Sequence, residues 1–486
     1  VPRTSKLRLS SLAALSPNED VLTSHPTTRY TSLEYAARTL RWGSSSTPPS
    51  RGGLCEPCLR VWETRVSFQT ARRAPMLSEP LVGTKDAAGR KSSRVQTALN
   101  IMNNYVGMTL LSFPFCAREA GWASAAILLV LSAFCAYTGW LVVQAYARIV
   151  ADGHAAPSYA QLGQVCLGPA GKWLVLVSST FETLVSIPGM FIGIWANAAL
   201  LFPSITPSLV IAGCIAVSLP ANGLSDFTML SSLSLLGIIS IGLVCLAVGY
   251  DVLASSDQLA PPRELVDLDG FPMASSITMA GLTGHVALFP IYEEMREQTY
   301  FKQTLFASFA LIFLIYGSVQ VGGYCVYGST LDILVTTNMA SGERGPIGTV
   351  LFTLVLSAIT FKLFCSVAGT VLVLVDIFEN VYHEQSGARF DNATAMCWRL
   401  AMWLTSIVVA GLAFSSLQYV TALIGINSVL ISVLLPIFFY VKLHWQSMGR
   451  LRKLWFGSLS LLSILMVVAI ACVDIQEFTR SLGLGA

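Results

Sequence analysis

The sequence predicts an all-α polytopic membrane protein with eleven spans, arranged as two five-helix repeats of inverted topology plus an eleventh helix. Three observations support this fold class. Of the 486 residues, 54% are hydrophobic and only 12% are charged, whereas soluble chains are about a quarter charged. Apolar runs of about 20 residues, the length that spans a bilayer, recur along most of the chain. Two of these runs, in the first and sixth spans, are interrupted by glycine and proline.

The N-terminal region, residues 1–94, differs from the rest of the chain. It holds half of all lysines and arginines, is rich in Ser, Thr and Pro, and has no apolar span. Such a composition cannot bury a core, so we expect a disordered basic arm. The first methionine is Met76. We interpret residues 1–75 as an N-terminal extension or a translated upstream stretch, with Met76 as the start, or as a cleaved targeting arm.

The remaining region, 95–486, is predicted to form one eleven-span domain. Its first repeat covers 96–253, its second repeat covers 274–441, and an extra helix covers 454–473. The predicted spans are 96–116, 122–149, 172–202, 208–221, 229–253, 274–292, 304–328, 346–376, 397–415, 419–441 and 454–473.

The distribution of basic residues predicts a cytoplasmic N-terminus, because cytoplasmic loops of membrane proteins carry an excess of Lys and Arg. With this orientation the outer loops hold only Arg118, Arg263 and Arg344. The inner loops hold Arg148, Lys172, Arg296, Lys302, Arg389, Arg399, Lys442, Arg450, Arg452 and Lys453.

The two interrupted spans read "NIMNNYVGMTLLSFPF" at 100–115 and "TMAGLTGHVALFPIYEEM" at 278–295. Glycine and proline are common in membrane helices, so either interruption alone is consistent with simple packing. Interruptions at corresponding positions of two halves favour discontinuous helices that meet near the membrane midplane. Their ends would present N–H groups to an anion and carbonyl groups to a cation. We therefore predict a binding site formed by Asn103, Gly107, Met108, Thr109, Leu110, Gly281, Thr283, Gly284 and His285.

Three stretches resemble motifs of the amino acid/auxin permease family, within the amino acid–polyamine–organocation superfamily. They are "NIMNNYVGMTLLSFPFCAREAGW" at 100–122, "GHVALFPIYEEM" at 284–295 and "YCVYGSTLDILVTTNM" at 324–339. The resemblance covers about 95–475. Within the family, "LLSFPFCAREAGWAS" and "AYTGWLV" are most similar to vacuolar amino acid transporters and their vesicular relatives. One departure is Thr109, which stands where the family commonly has the second glycine of Gly-x-Gly.

The resemblance implies a LeuT-type fold and secondary active transport of amino acids, usually coupled to protons rather than sodium. It favours a vacuolar or lysosomal membrane, with the plasma membrane as the alternative. Transport would proceed by alternating access around the first and sixth helices. A non-transporting amino-acid sensor on the same fold, signalling through the N-terminal arm, is the alternative function.

Two charged residues lie deep within predicted spans, Glu182 in the third and Lys362 in the eighth. Charges inside a membrane are costly and are functional candidates by default. We predict an ion pair between them, which either locks helix packing or takes part in coupling. In the second case, Lys362 supplies a fixed positive charge where sodium-coupled relatives bind a cation. Glu182 or His285 then carries the proton.

Enzymatic function is not predicted. The sequence shows no glycine-rich phosphate loop, no His/Cys cluster with metal spacing and no nucleophile–His–acid set, so no catalytic residue, metal or cofactor is expected. A polytopic lipid-modifying enzyme would need such a polar cluster at the membrane interface. Basic residues are not pooled on one face, so nucleic acid is not an expected partner. The expected partners are an amino acid, protons and membrane lipid.

Overall fold

The structure, a computed structural model, describes residues 92–154, 158–220, 234–254, 264–342 and 344–481. The chain divides into two compact units, residues 1–76 and 77–486, and all described residues belong to the second unit. Apart from residues 92–94, the predicted basic arm lies outside the described residues, as does Met76. The described chain is helical and contains no strand, only an isolated bridge between Ser92 and Met295.

Nine helices in the described part of the chain are long and apolar enough to cross a membrane. Two further segments complete the predicted set of eleven: the interrupted first helix, and a short apolar helix at Pro207–Ser218 where the fourth span was predicted. The all-α polytopic architecture is therefore confirmed. The nine helices are Ala123–Ala151, Pro169–Leu201, Gly237–Ala254, Phe271–Glu294, Gln298–Thr330, Pro346–Ser386, Asn392–Leu412, Phe414–His444 and Arg450–Gln476.

The boundaries depart most from prediction at the eighth and eleventh spans. The eighth helix, predicted over 346–376, continues to Ser386 and has 41 residues. At 1.5 Å per residue it is about 60 Å long, roughly twice the thickness of a bilayer's hydrocarbon core. The eleventh helix, predicted over 454–473, is Arg450–Ser481. Asp474 therefore lies inside this helix and not beyond its end.

Local sequence signals set several helix starts. Ser93 precedes the first helix, where its hydroxyl accepts from the Gln96 backbone N–H and its own N–H donates to the Gln96 side chain, a capping box. Pro169 and Pro346 occupy the first turns of the third and eighth helices, where a missing N–H leaves no hydrogen bond unmade. Asp391 caps the ninth helix by accepting from the Thr394 N–H.

The third and eighth helices pack along each other. An ion pair between Lys172, near the start of the third helix, and Glu384, near the end of the eighth, joins them at one end. The tenth helix packs on the first half of the sixth and also contacts the third. Gly425 is needed at this contact, because a Cβ there would lie 1.8 Å from the Ser276 carbonyl oxygen.

Three helical features were not predicted. Short helices at Tyr159–Leu167 and Val335–Ser341 lie in the connections after the second and seventh spans. A π-helical turn at Leu430–Leu434 interrupts the tenth span. A π turn leaves backbone groups without their usual helical partners, and here the Ile431 carbonyl accepts a 2.6 Å hydrogen bond from the Tyr159 hydroxyl.

Candidate functional site

The first interruption lies where the sequence predicts unwinding. The first helix ends at Tyr105, residues 106–107 leave the helix, and a 3-10 turn at Met108–Ser112 leads into a second helix at Phe113–Ala120. The unwinding begins one residue before Gly107. A Cβ at Gly107 would meet no atom within 4 Å. The space beside this residue is therefore open, and no close contact with a neighbouring atom requires a glycine here.

The second interruption separates Phe271–Gly281 from Leu288–Glu294. Between them Gly284 has a φ of 146°, a value that residues with a side chain rarely adopt. A Cβ at Gly284 would also lie 2.4 Å from the Asn104 side-chain nitrogen. Glycine is therefore required here by the backbone conformation and by the close approach of the first interruption.

The two interruptions are in direct contact. The Asn104 side-chain N–H donates a 3.2 Å hydrogen bond to the Gly284 carbonyl. On the seventh span, the Tyr316 hydroxyl lies 2.7 Å from the Tyr105 carbonyl oxygen and 2.9 Å from the Gly281 carbonyl oxygen. Tyr105 and Gly281 are the last residues of their helices, so one hydroxyl lies at both helix ends.

Lys362 contacts the first interruption. Its ammonium donates a 2.7 Å hydrogen bond to the Val106 carbonyl. Beside it is a cavity of about 20 Å³, lined in part by Gly107, Met108, Leu110 and Lys362, all of which the sequence predicts. The cavity has room for about one water molecule and is far smaller than the usual small-molecule pocket. The cavity is therefore too small to hold an amino acid as it stands.

Glu182 contacts the second interruption. Its Oε1 accepts a 2.9 Å hydrogen bond from the Thr283 hydroxyl. Its Oε2 lies 3.5 Å from the side-chain nitrogen of Asn427, which also donates to the Ser178 carbonyl at 3.1 Å. Glu182 thus joins the third span to both the sixth and the tenth.

The predicted ion pair between Glu182 and Lys362 must be corrected, since it is absent from the ion pairs among the described residues. The two side chains reach different interruptions and have different partners there. Lys362 lies closer to a backbone carbonyl than to Glu182, and Glu182 lies closer to the Thr283 hydroxyl than to Lys362. Their roles in coupling remain predictions.

His285 is fully buried, with 0% exposure, and faces the second span. Its Nε2 lies 3.1 Å from the Cys135 carbonyl oxygen and 3.1 Å from the Thr138 hydroxyl, and its Nδ1 lies 3.3 Å from the Tyr105 hydroxyl. A carbonyl can only accept, so we assign the proton to Nε2, and Nδ1 then accepts from Tyr105. Both nitrogens of the neutral imidazole are satisfied.

Two other predicted residues lie at different contacts. The Asn103 Oδ1 atom is buried, has no hydrogen-bond partner among the described residues and lies 2.3 Å from the position that a Cβ on Gly237 would take. The Thr109 hydroxyl lies beside the second interruption, 3.3 Å from the corresponding position on Gly281. The predicted residues therefore divide among the cavity, the contact between the interruptions, and the packing around His285.

The sequence interpretation missed Val106 and Tyr316 at the interruptions, and Asn427, which contacts Glu182. Tyr316 and Asn427 are polar side chains in the middle of apolar spans, and that position was a usable signal. Val106 acts through its backbone carbonyl, which no side-chain pattern reveals.

Two further carboxylates, near the C-terminal ends of the fifth and eleventh spans, are also buried. Asp251, 7% exposed, pairs with Arg344 at 3.2 Å and accepts a 2.7 Å hydrogen bond from the Tyr327 hydroxyl. Asp474, 4% exposed, accepts a 2.6 Å hydrogen bond from the Ser276 hydroxyl. Asp474 thereby joins the eleventh helix to the first half of the sixth.

Comparisons with known proteins agree with these observations. A family profile described as "Transmembrane amino acid transporter protein" matches residues 90–477. Amino acid transporter AVT1E of Arabidopsis thaliana is 26% identical over 401 residues, which are 80% of this chain and 73% of that protein. Amino acid transporter AVT1D of the same plant is 24% identical over 399 residues, which are 79% of this chain and 69% of that protein.

Solved structures of similar fold include Mhp1, a nucleobase-cation-symport-1 family transporter. Its inward-facing structure has a TM-score of 0.54 at 11% identity, covering 76% of this chain and 80% of Mhp1. Its closed structure with bromovinylhydantoin bound has a TM-score of 0.50 at 10% identity, covering 84% of this chain and 97% of Mhp1. At such identities the likeness shows the fold alone, and the expected LeuT-type fold is confirmed. Because the family profile covers most of the sequence, the chain belongs to the family of transmembrane amino acid transporter proteins.

Proposed function

We propose that this chain is a secondary active transporter that moves amino acids across a membrane with protons, by alternating access around its two interrupted helices. One observation carries the proposal: the interruptions touch each other, and each is contacted by a different ionisable side chain. Asn104 joins the interruptions, Glu182 binds the second, and Lys362 binds the first. The relatives named amino acid transporters support the substrate class.

The proposed substrate position is the space at Gly107, where the chain leaves room for a Cβ and a small cavity already exists. The backbone N–H groups at the start of the Met108–Ser112 turn suit a carboxylate, because helix N-termini attract anions. Carbonyl groups around the second interruption, near Thr283, suit an ammonium group. The backbone can therefore recognise the parts that all amino acids share.

Glu182 is the proposed proton carrier. A carboxylate accepts hydrogen bonds more strongly than a neutral carboxylic acid does. Protonation of Glu182 would therefore weaken the bond from the Thr283 hydroxyl and loosen the second interruption from the third span. His285 is the poorer candidate, because its neutral form has a partner for both nitrogens and it forms no ion pair with a carboxylate among the described residues.

Lys362 is proposed to replace a coupling cation at the first interruption. In transporters with discontinuous helices, the backbone carbonyls of the unwound segments bind sodium ions or protons. The Val106 carbonyl is already bound by the Lys362 ammonium, so a sodium ion is not needed there. This favours protons over sodium as the coupling ion.

The N-terminus is proposed to be cytoplasmic, in a vacuolar or lysosomal membrane. The orientation rests on the excess of Lys and Arg in alternate loops. The choice of membrane rests on the resemblance of "LLSFPFCAREAGWAS" to vacuolar transporters. A protease-accessible tag at each terminus, assayed in intact organelles, tests both points.

Purified protein in liposomes with an imposed pH gradient tests the function. A panel of labelled amino acids is offered, and we expect accumulation of at least one, lost when a protonophore collapses the gradient. A sodium gradient without a pH gradient is the matched control and should not drive uptake. Uptake that requires sodium and ignores pH would contradict proton coupling. Binding without gradient-driven uptake would instead indicate the sensor.

A further inference from the structure

The contact between the two interruptions contains a cluster of oxygen atoms around one tyrosine. Tyr316 is fully buried, with 0% exposure, and its ring stacks on Phe113 with centroids 3.9 Å apart. Its hydroxyl lies 2.7 Å from the Tyr105 carbonyl oxygen and 2.9 Å from that of Gly281. Thr109 also lies against this hydroxyl. The phenolic oxygen is thus held between the two places where a helix stops.

The electrostatics of helix ends explain why this position needs a positive group. The last carbonyls of a helix lack intrahelical partners and carry the negative end of the helix dipole. At Tyr105 and Gly281 two such ends converge in a buried space. In transporters with interrupted helices, such converging carbonyls bind a monovalent cation. Here the group between them is a hydroxyl with one proton to donate.

We propose that Tyr316 fills a cation-type site between the two interruptions, its hydroxyl proton standing in place of a sodium ion. The carbonyls of the neighbouring residues Tyr105 and Val106 are then both satisfied by side chains of the chain itself, Tyr316 and Lys362. The role of this arrangement in ion choice rests on the proposed function. The site itself is defined by the contacts and can be tested without transport.

The test is thermal unfolding of the purified full chain in sodium chloride and in choline chloride at equal ionic strength. We expect the wild-type melting temperature to be the same in both salts. Tyr316→Phe removes only the oxygen, so we expect a melting temperature several degrees lower, partly restored by sodium but not by choline. A sodium response of the wild type, or a Tyr316→Phe variant that responds equally to both salts, would overturn the proposal.

Tyr324→Phe is the matched control. Tyr324 lies two turns further along the same helix, is equally buried, and its hydroxyl accepts from the Glu264 backbone N–H, away from the interruptions. We expect this variant to lose stability without any preference for sodium. A sodium preference as large as that of Tyr316→Phe would also count against the proposal.

A second pair of variants covers the case in which Tyr316→Phe does not fold. Tyr316→Lys brings an ammonium group to the carbonyl cluster, and Tyr316→Met fills similar space without a donor. We expect the Lys variant to melt at a higher temperature than the Met variant and to ignore sodium. Equal melting temperatures would overturn the proposal. If the wild type shows no uptake while the melting temperature of Tyr316→Phe still responds to sodium, the cation-type site is supported and the proposed transport function is contradicted.

Discussion

The Lys362 ammonium donates a 2.7 Å hydrogen bond to the Val106 carbonyl, so a charged side chain of the eighth span holds the first unwound residue of the first helix. Hydrogen bonds from charged donors are shorter and stronger than neutral ones. The bond also lies beside the small cavity. The position of this backbone segment is thus tied to the position of the eighth span.

Lys362→Met keeps the side-chain length and removes the donor. A hydrogen bond to a charged group contributes about 1.5–3 kcal/mol, so we expect gradient-driven uptake per folded molecule to fall by about tenfold or more. Uptake in liposomes, normalised to protein that elutes as a single species, is the measurement. Lys172→Met is the control, since Lys172 pairs with Glu384 at the far end of the same helix pair. Unchanged uptake in Lys362→Met would remove Lys362 from the mechanism.

Glu182→Gln keeps the shape of the side chain and an acceptor for the Thr283 hydroxyl, but it cannot bind or release a proton. We expect accumulation driven by a pH gradient to be lost, while exchange of labelled for unlabelled amino acid continues. The comparison of accumulation with exchange in the same liposomes is the measurement. Glu384→Gln, at an exposed position, should behave as wild type. Loss of exchange together with accumulation would point to a binding or folding role for Glu182.

His285→Gln tests the alternative proton carrier. A glutamine amide can still donate to the Cys135 carbonyl, but it loses the contact with the Tyr105 hydroxyl. We expect a lower melting temperature and an unchanged pH dependence of uptake per folded molecule. A pH dependence that disappears in this variant, and survives in Glu182→Gln, would reverse the assignment.

The two glycines at the interruptions should respond differently to alanine. Gly284→Ala places a methyl group 2.4 Å from the Asn104 amide and strains a backbone at φ 146°, so we expect little folded protein. Gly107→Ala meets no atom within 4 Å, so we expect a melting temperature near wild type. Its methyl group enters the proposed substrate space, so amino acid affinity should fall. Equal folding defects in both variants would contradict this reading.

Asp474 and Ser276 can be tested as a pair. Ser276→Ala removes the donor to Asp474, whose other oxygen is already buried with no partner in the part of the chain that the structure describes. A buried group stranded in this way costs about 1–3 kcal/mol, so the melting temperature should fall. Adding Asp474→Leu removes the stranded group and should restore part of the loss. Ser463→Ala is the control, because the Ser463 hydroxyl donates to the Leu459 carbonyl of its own helix.

Much of the fold was predictable, because the length of an apolar run and the residues that interrupt a helix can both be recognised in a short stretch of sequence. The runs of apolar residues gave eleven spans in order, and the spacing of Gly107 and Gly284 from their prolines marked the two interruptions. The end of the eighth helix was not predictable in this way. Beyond Asp376 the sequence becomes polar, but backbone hydrogen bonding continues to Ser386, since leaving a bilayer does not end a helix.

The site was less predictable because its contacts depend on how helices rotate against each other. Opposite charges on Glu182 and Lys362 suggested an ion pair, but charge does not say how far a side chain reaches or which neutral partner is nearer. The actual partner of Lys362 is a backbone carbonyl exposed by unwinding. Tyr316 and Asn427 have no local pattern that indicates which helices they contact.

The ion pair between Lys172 and Glu384 lies far from the two interruptions. It joins the start of the third helix to the end of the eighth, and these are the helices that carry Glu182 and Lys362. From Lys362 to Glu384 is roughly 33 Å along the helix axis. An exposed ion pair contributes only about 0–1 kcal/mol, so it is the packing of the two helices along their length that keeps them together. On the proposed function, Glu182 and Lys362 therefore belong to one packed helix pair, and a shift of that pair would act on both interruptions at once.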